Sequence, residues 1–452
     1  MQRLWFEQAL LPAGWARRVQ VEIAGGVFTS VVADSSPHPG TERHALALPG
    51  MGNLHSHAFQ RAAAGRTGRP GPGGDSFWTW RMEIYRLAQG LTPQAVGAVA
   101  ALAYAEMLEA GFTHVGEFHY LHHQPGGAPY DDPSEMAARL LAAAEAVGLD
   151  ITLLPVFYAH SDLGGAAPKP EQARFVCDLD LYADLLETCR TRATRQPGAA
   201  VGVAPHSLRA VTPDELTTLG QLAAGAPFHI HVAEQIAEVE RCQAVLGARP
   251  VEWLLANQPV DARWCLVHAT HVTEAERVVV AGSGAVVGLC PITEADLGDG
   301  IFPAAAYAAE GGRWGVGSDS NLFIDLAAEL RLLEYGQRLT TQRRNVLATP
   351  GRSTGAALFS QALAGGAQAL GLASPPAIAT GVPATLVTLS ADLIQAFDGQ
   401  GDDLLDAWLF ASPRPAIDSV WTRGRRVVEA GRHVDRPQIW ADYRQALAEL
   451  RS

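Results

Sequence analysis

The chain has 452 residues, 48% hydrophobic and 18% charged, with a mean hydropathy near zero, enough for a large catalytic domain with a smaller one beside it. Its net charge of −13 argues against nucleic acid and anionic membranes as partners, although a few converging arginines would still make a local pocket for an acidic ligand. The cysteines (Cys177, Cys189, Cys242, Cys265, Cys290) are odd in number and show no CxxC, which points to reduced thiols in a cytoplasmic protein; no run reaches the roughly 18 apolar residues of a membrane span.

The opening stretch, "MQRLWFEQALLPAGWARR", carries Glu7 and has no uninterrupted apolar core, so it does not read as a signal peptide. Residues 19 to 33, "VQVEIAGGVFTSVVA", are β-branched and turn-rich, the composition of short strands. From about residue 50 to 375, short apolar segments alternate with longer helical patterns. The strand candidates are "LPGMGNLHSH", "THVGEFHY", "ITLLPVFYAH", "VGVAPHSL", "PFHIHVAE", "WCLVHATH", "AVVGLCPITE" and "WGVGSDS", near-continuous apolar runs of the kind that buried parallel strands require. Between them, "LTPQAVGAVAALAYAEMLEAG" starts on Thr92 and Pro93, stops at Gly111, and repeats Val96, Val99, Ala103 and Met107 at helical spacing. "VTPDELTTLGQLAA" and "VTEAERVVVAG" open in the same way. Eight such repeats predict an α/β fold, a (β/α)8 TIM-type barrel with its chemistry at the C-terminal strand ends.

Residues 381 to 434 again read as short strands, and "PQIWADYRQALAELRS" as a closing helix. The expected division is residues 1–49 and 376–436 forming one small β-sandwich domain from both terminal segments, 50–375 the barrel, and 437–452 the helix.

Polar residues collect at the predicted strand ends. His55 and His57 leave one face of the first strand, the fifth carries His229, His231 and Glu234, the sixth ends at His268, and the eighth ends at Asp319. In a closed barrel these ends converge, and His55, His57, His231 and Asp319 form a nitrogen-rich site with one carboxylate, suited to Zn²⁺ or Fe²⁺. Such an ion lowers the pKa of a bound water to about 7. Asp319 could take that water's proton, Glu234 could act as acid or base, and His268 could polarise the substrate. Other readings stand beside these: His229 shares a face with His231, Asp319 could cap the next helix, and Glu234 could be an ordinary helix-start acid. His114, His122, His123 and His271 read as structural or loop residues. Two-metal barrel hydrolases often bridge their ions with a carbamylated lysine on the fourth strand. The lone lysine here is Lys169, in a Pro/Gly-rich loop, so one divalent ion is expected.

The HxH pair, the His and Glu of "HVAE", the sixth-strand His and the eighth-strand Asp together resemble the amidohydrolase superfamily, in its mononuclear deaminase branch. The resemblance covers nearly the whole chain. More narrowly, "LPGMGNLHSHAFQRAAAG", "SFWTWRMEIYRLA", "THVGEFHYLHH", "GVAPHSLRAV" and "HIHVAEQ" are similar to members of that superfamily acting on N-formimino-L-glutamate in histidine degradation. That resemblance implies a small dianionic amino-acid-derived substrate, hydrolysis to N-formyl-L-glutamate and ammonia, and a homodimer. It matches Arg81 and Arg209 to carboxylate clamps, Gln60 and Tyr120 to hydrogen-bonding partners (with His119 a rival to Tyr120), and His206 to a substrate contact. Gly52 departs from the pattern, where Pro is expected, which changes turn stiffness rather than chemistry. Deamination of another amidine or a guanine-like ring is the alternative chemistry, and a metal-free scaffold or binding protein the alternative of another class.

Overall fold

A computed structural model of the chain describes residues 1–68, 74–412 and 416–450. Four strands precede the barrel: β1 (Gln2–Leu11), β2 (Gly14–Ala24), β3 (Val27–Val32) and β4 (Glu42–Pro49). The barrel strands are β5 (Met51–Ser56), β6 (Phe112–His119), β7 (Asp150–Phe157), β8 (Ala199–Val201), β9 (Ala204–Pro205), β10 (Phe228–Val232), β11 (Trp264–His268), β12 (Val286–Leu289) and β13 (Arg313–Val316). Four more follow: β14 (Leu386–Leu389), β15 (Ile417–Thr422), β16 (Arg425–Glu429) and β17 (Arg432–His433).

All eight predicted barrel segments are strands and their ladders are parallel, as the apolar runs require. The fourth is split into β8 and β9 by Gly202, where a Cβ would meet Leu154 Cδ2 at 2.6 Å and the Pro227 carbonyl at 2.7 Å. Two arcs, β5-β6-β7-β8 and β10-β11-β12-β13, are joined by the parallel bridges Val203–Phe228 and Ser207–His231 on one side and Ser56–Asp319 on the other. The last bridge brings the first and eighth strand ends together, and with them two of the residues singled out above.

The predicted helix starts hold. Thr92, Thr212 and Thr273 each cap with the side-chain oxygen, for the helices Pro93–Glu109, Pro213–Leu222 and Glu274–Ser283. The helix Thr354–Ala369 ends inside the N-terminal mouth of the barrel. The carbonyl at its last residue, Ala369, accepts from His229 Nε2 (2.7 Å), and the next, Leu370, accepts from Thr152 Oγ1 (2.8 Å). Leu370 also gives Gly52 a steric reason, because a Cβ there would stand 2.6 Å from Leu370 Cδ1. A proline there would have to push that Leu370 methyl aside.

Both ends of the chain build one eight-stranded sheet, in the order β17-β16-β15-β14-β4-β1-β2-β3, with β4 paired to β14 as the joint between the two segments. Leu4, Phe6, Val19, Val21, Phe28, Leu386 and Trp421 form its apolar core. Within 381 to 434, the "ADLIQAF" read as strand is helical (Ala391–Phe397), followed by helical turns at Asp402–Asp406 and Ala407–Ala411. Ser390 starts this run by accepting from Asp392 N, a local cap that outweighs the β-branched neighbourhood. The closing helix spans Arg436–Glu449; the final two residues of the predicted segment lie outside the described ones.

Candidate active site

The site sits where the strands end. β5 stops at Ser56, so His57 follows the strand rather than lying in it, yet its ring still meets that of His55, with Nε2 atoms 3.2 Å apart. From β10, His231 brings its Nε2 to 3.1 Å from that of His55. Beyond β13, Asp319 places Oδ1 3.4 Å from His55 Nε2 and 3.3 Å from His57 Nε2. One potential ligand atom from each of these four buried residues lies within 4.8 Å of the others.

Backbone hydrogen bonds aim the rings. His57 Nδ1 donates to the Phe118 carbonyl and His231 Nδ1 to the His206 carbonyl, both at 2.9 Å, which leaves each Nε2 lone pair turned inward. Burial pushes the pKa of His55 down to about 3, with the Asp319 hydrogen bond opposing, and it lowers His57 and His231 as well. Neutral imidazoles whose lone pairs converge beside a carboxylate suit a divalent cation, so the fit to a metal is good. The fourth strand presents no lysine to bridge a second ion, and Lys169 is exposed in its loop.

The strand ends carry unusual backbone. Ala233 (φ 52°), His268 (φ 67°) and Asp319 (φ 43°) are left-handed residues without glycine's freedom. Asp319 is held by His55 O accepting from its N–H (3.0 Å), by its carbonyl accepting from His57 N (2.9 Å), and by Asn321 Nδ2 (3.1 Å). It does not cap the next helix; Asp325 does. Glu234 precedes the helix Ile236–Leu246 and its cap Gln235, which frees its carboxylate from a helix-start role.

His268 Nε2 is buried without a hydrogen-bond partner, 3.6 Å from Glu234 Oε1 and 3.9 Å from Asp319 Oδ2. On the other side its Nδ1 meets Glu294 Oε1 at 3.2 Å. Burial works to lower the pKa of His268, but the charges and hydrogen bonding of Glu234, Glu294 and Asp319 outweigh it and raise it. Glu234 is pushed up to about 7 by burial, with the His268 charge opposing.

A cavity opens beside these groups. His57, Gln60, Arg81, Tyr120, His206, Arg209, His231, Glu234 and Asp319 line it, together with Phe77, Trp80, Ile84, Tyr85 and Leu297. Every sequence-predicted site residue except His55 and His268 therefore faces it, and those two lie behind in contact with its walls. Gln60 Nε2 donates to Tyr120 Oη at 3.0 Å. His119 instead packs on the ring of His122, at 5.4 Å. Arg81 Nε and Nη1 and Arg209 Nε are buried without hydrogen-bond partners, and among the described residues neither guanidinium forms an ion pair. One buried and one half-buried arginine with unpartnered nitrogens in one cavity call for an anionic ligand.

His229, His114, His122 and His123 are structural. They pair with the Ala369 carbonyl, Thr152 Oγ1, the Val156 carbonyl and the Val176 carbonyl, and the last two are buried rather than loop-exposed. Sequence reasoning passed over Glu294, in the seventh segment "AVVGLCPITE". A polar residue at a predicted strand end was the available signal. It also passed over Glu117, which accepts from Ser56 Oγ (2.8 Å) and Ala58 N (2.7 Å) and so fixes the backbone around His57.

A parallel barrel with a buried His₃Asp cluster at its C-terminal mouth is the architecture of a metal-dependent hydrolase. A profile described as the amidohydrolase family matches residues 46–427, and the chain belongs to that family. A second, described as the N-terminal domain of formimidoylglutamate deiminase HutF, matches residues 1–45. Over 455 positions covering 100% of both chains, the sequence is 46% identical to formimidoylglutamate deiminase of Pseudomonas aeruginosa. It is 30% identical to 8-oxoguanine deaminase of the same species, over 90% of this chain and 88% of that one. Among solved structures, an amidohydrolase from Brucella melitensis is similar over 100% of both chains, with 51% identity and a TM-score of 0.96.

Proposed function

We propose that the chain hydrolyses N-formimino-L-glutamate to N-formyl-L-glutamate and ammonia, as in histidine degradation. The observation that carries this is the half-buried Arg81 and the buried Arg209, with no hydrogen-bond partner for Arg81 Nε and Nη1 or Arg209 Nε, in the cavity lined also by His57, His231 and Asp319. A dicarboxylate satisfies both arginines and presents its formimino end to the cluster.

His55, His57, His231 and Asp319 would hold one divalent ion, Zn²⁺ by donor chemistry with Fe²⁺ the rival, and such an ion supplies Lewis-acid activation of water at neutral pH. The side chains do the rest. Asp319 accepts the proton that the attacking water loses. His268, held by Glu294, stabilises the negative charge that develops on the oxygen added to the formimino carbon. Glu234, 3.6 Å from His268 Nε2, protonates the imine nitrogen as water adds. Asp319 then passes its proton to the same nitrogen, which leaves as ammonia. The adduct hydroxyl returns a proton to Glu234 and becomes the formyl oxygen, the glutamate nitrogen keeping its bond to the formyl carbon. Gln60, Tyr120 and His206 orient the substrate between these groups.

A ring deaminase would use the same cluster, but a ring without carboxylates leaves both arginines unsatisfied. A metal-free scaffold has no use for a complete ligand set. The same proposal includes the division at residues 49, 375 and 436 and a homodimer, the latter tested by light scattering against twice the chain mass of 48.0 kDa. The activity is tested by incubating zinc-loaded protein with N-formimino-L-glutamate and identifying products by NMR. N-formylglutamate with ammonia is expected; formamide with glutamate, or no turnover, overturns the reading.

A further inference from the structure

The two arginines share one aromatic ring. Arg81 Cζ lies 4.5 Å from the centroid of Trp78, and Arg209 Cζ lies 5.9 Å from the same centroid. We infer that Trp78 is a positioning residue that clamps both guanidiniums at a fixed separation and so sets the length of dicarboxylate the site accepts. This inference rests on the function proposed above.

The local structure supports such a role. Trp78 is in the first turn of the helix Phe77–Gly90, where Ser76 and Thr79 form a reciprocal cap: Thr79 N donates to Ser76 Oγ and Ser76 N to Thr79 Oγ1. Phe77 meets the Trp78 ring edge-on, with centroids 5.1 Å apart at 88°. The ring is thus oriented by its own helix start. Arg81 follows three residues later on the same helix face, and its guanidinium also lies 5.6 Å from the Tyr85 ring. Arg209 arrives from beyond β9, so the ring joins two otherwise separate parts of the chain.

Both arginines are long, flexible cations, and although the Glu234 and Glu238 carboxylates act on Arg209, neither forms an ion pair with it among the described residues. Without a fixed support each side chain would lose its place in an empty pocket, at a cost to ligand binding. The negative face of an indole attracts both guanidiniums and holds them in place. Trp78 is 37% exposed, Arg81 is half-buried and Arg209 is 9% exposed, so the arginines are the less exposed members of the trio. Burial of Arg209 strengthens its attraction for a dianion. A partly exposed ring carrying out this task can be removed without opening the core.

The test uses zinc-loaded protein, with glutarate and succinate as probes that carry two carboxylates and no formimino group. In wild type, titration calorimetry should show glutarate binding more tightly than succinate. Trp78→Ala should weaken glutarate roughly tenfold and erase the preference between the two acids, whereas Trp78→Phe should stay within about threefold of wild type. Turnover of N-formimino-L-glutamate by Trp78→Ala should show KM raised by a similar factor with kcat within about twofold, because the arginines act in binding. Unchanged glutarate affinity in Trp78→Ala overturns the inference, as does a fall in kcat and zinc content together, which would mark a general structural role. Wild type that binds glutarate yet releases no ammonia overturns the proposed function and leaves the clamp standing.

Discussion

Removing Glu294 should disable His268 while leaving substrate binding intact. One oxygen, Oε1, accepts both from His268 Nδ1 at 3.2 Å and from Cys290 N at 2.8 Å. Without it, His268 has no partner that fixes its ring, because its Nε2 already has none. A hydrogen bond to a charged group contributes about 1.5–3 kcal/mol, and the loss of that orientation translates into a fall in kcat of roughly 10–100-fold for Glu294→Ala. Glu294→Gln keeps an oxygen in place and loses only the charge, so its kcat should fall about 3–10-fold. KM should move little in either, since Glu294 is behind His268 and does not line the cavity. The assay is steady-state ammonia release from N-formimino-L-glutamate, with zinc content measured in parallel. Glu294→Ala turning over within threefold of wild type, or the two variants falling equally, would refute the reasoning.

The remaining expectations can be checked separately. Arg81→Met and Arg209→Met should each raise KM by about 10–100-fold with a smaller effect on kcat, as each removes one charge-assisted carboxylate contact; an unchanged KM in both would contradict the dianion site. Dialysis against a chelator should abolish turnover and lower the thermal midpoint, since an ion held at 100 times its Kd adds about 2.7 kcal/mol to folding. Zinc should restore both, and full activity in the metal-free protein would contradict the cluster's role. Leu54→Ala should cost about 2–5 kcal/mol in denaturant unfolding. Leu54 is fully buried in the barrel interior, and its methyls occupy the space where a Cβ on Gly288 or Gly315 would stand, at 2.8 and 2.6 Å. A loss below 1 kcal/mol would show a barrel able to collapse around the gap.

The barrel was legible because its strands are buried on both faces and therefore read as apolar runs, and because its helices start on Thr with Pro or Glu close behind. His55, His57, His231 and Asp319 were legible because each ends such a run. The flanking sheet was only partly so. β1 was not picked out as a strand, since it mixes Arg3, Glu7 and Gln8 with its apolar residues and takes one partner, β4, from more than thirty residues on. The helix Ala391–Phe397 was missed because its cap is a single serine in a β-rich context. Glu294 offered only its place at a predicted strand end, and Trp78 offered nothing, for a different reason. Nothing around Glu294 in sequence points to His268, which lies on another strand, and nothing around Trp78 points to Arg209. The partners that give these residues their roles are met only in the folded chain and leave no local pattern to read.

Anomalous diffraction at the zinc edge, from crystals of the metal-loaded protein, would test the metal centre most directly. A single peak bonded by His55, His57 and His231 nitrogens at about 2.0–2.1 Å and by an Asp319 oxygen at about 2.0–2.2 Å is the predicted result. No peak among those four side chains, or a second peak of equal height beside the first, would contradict it.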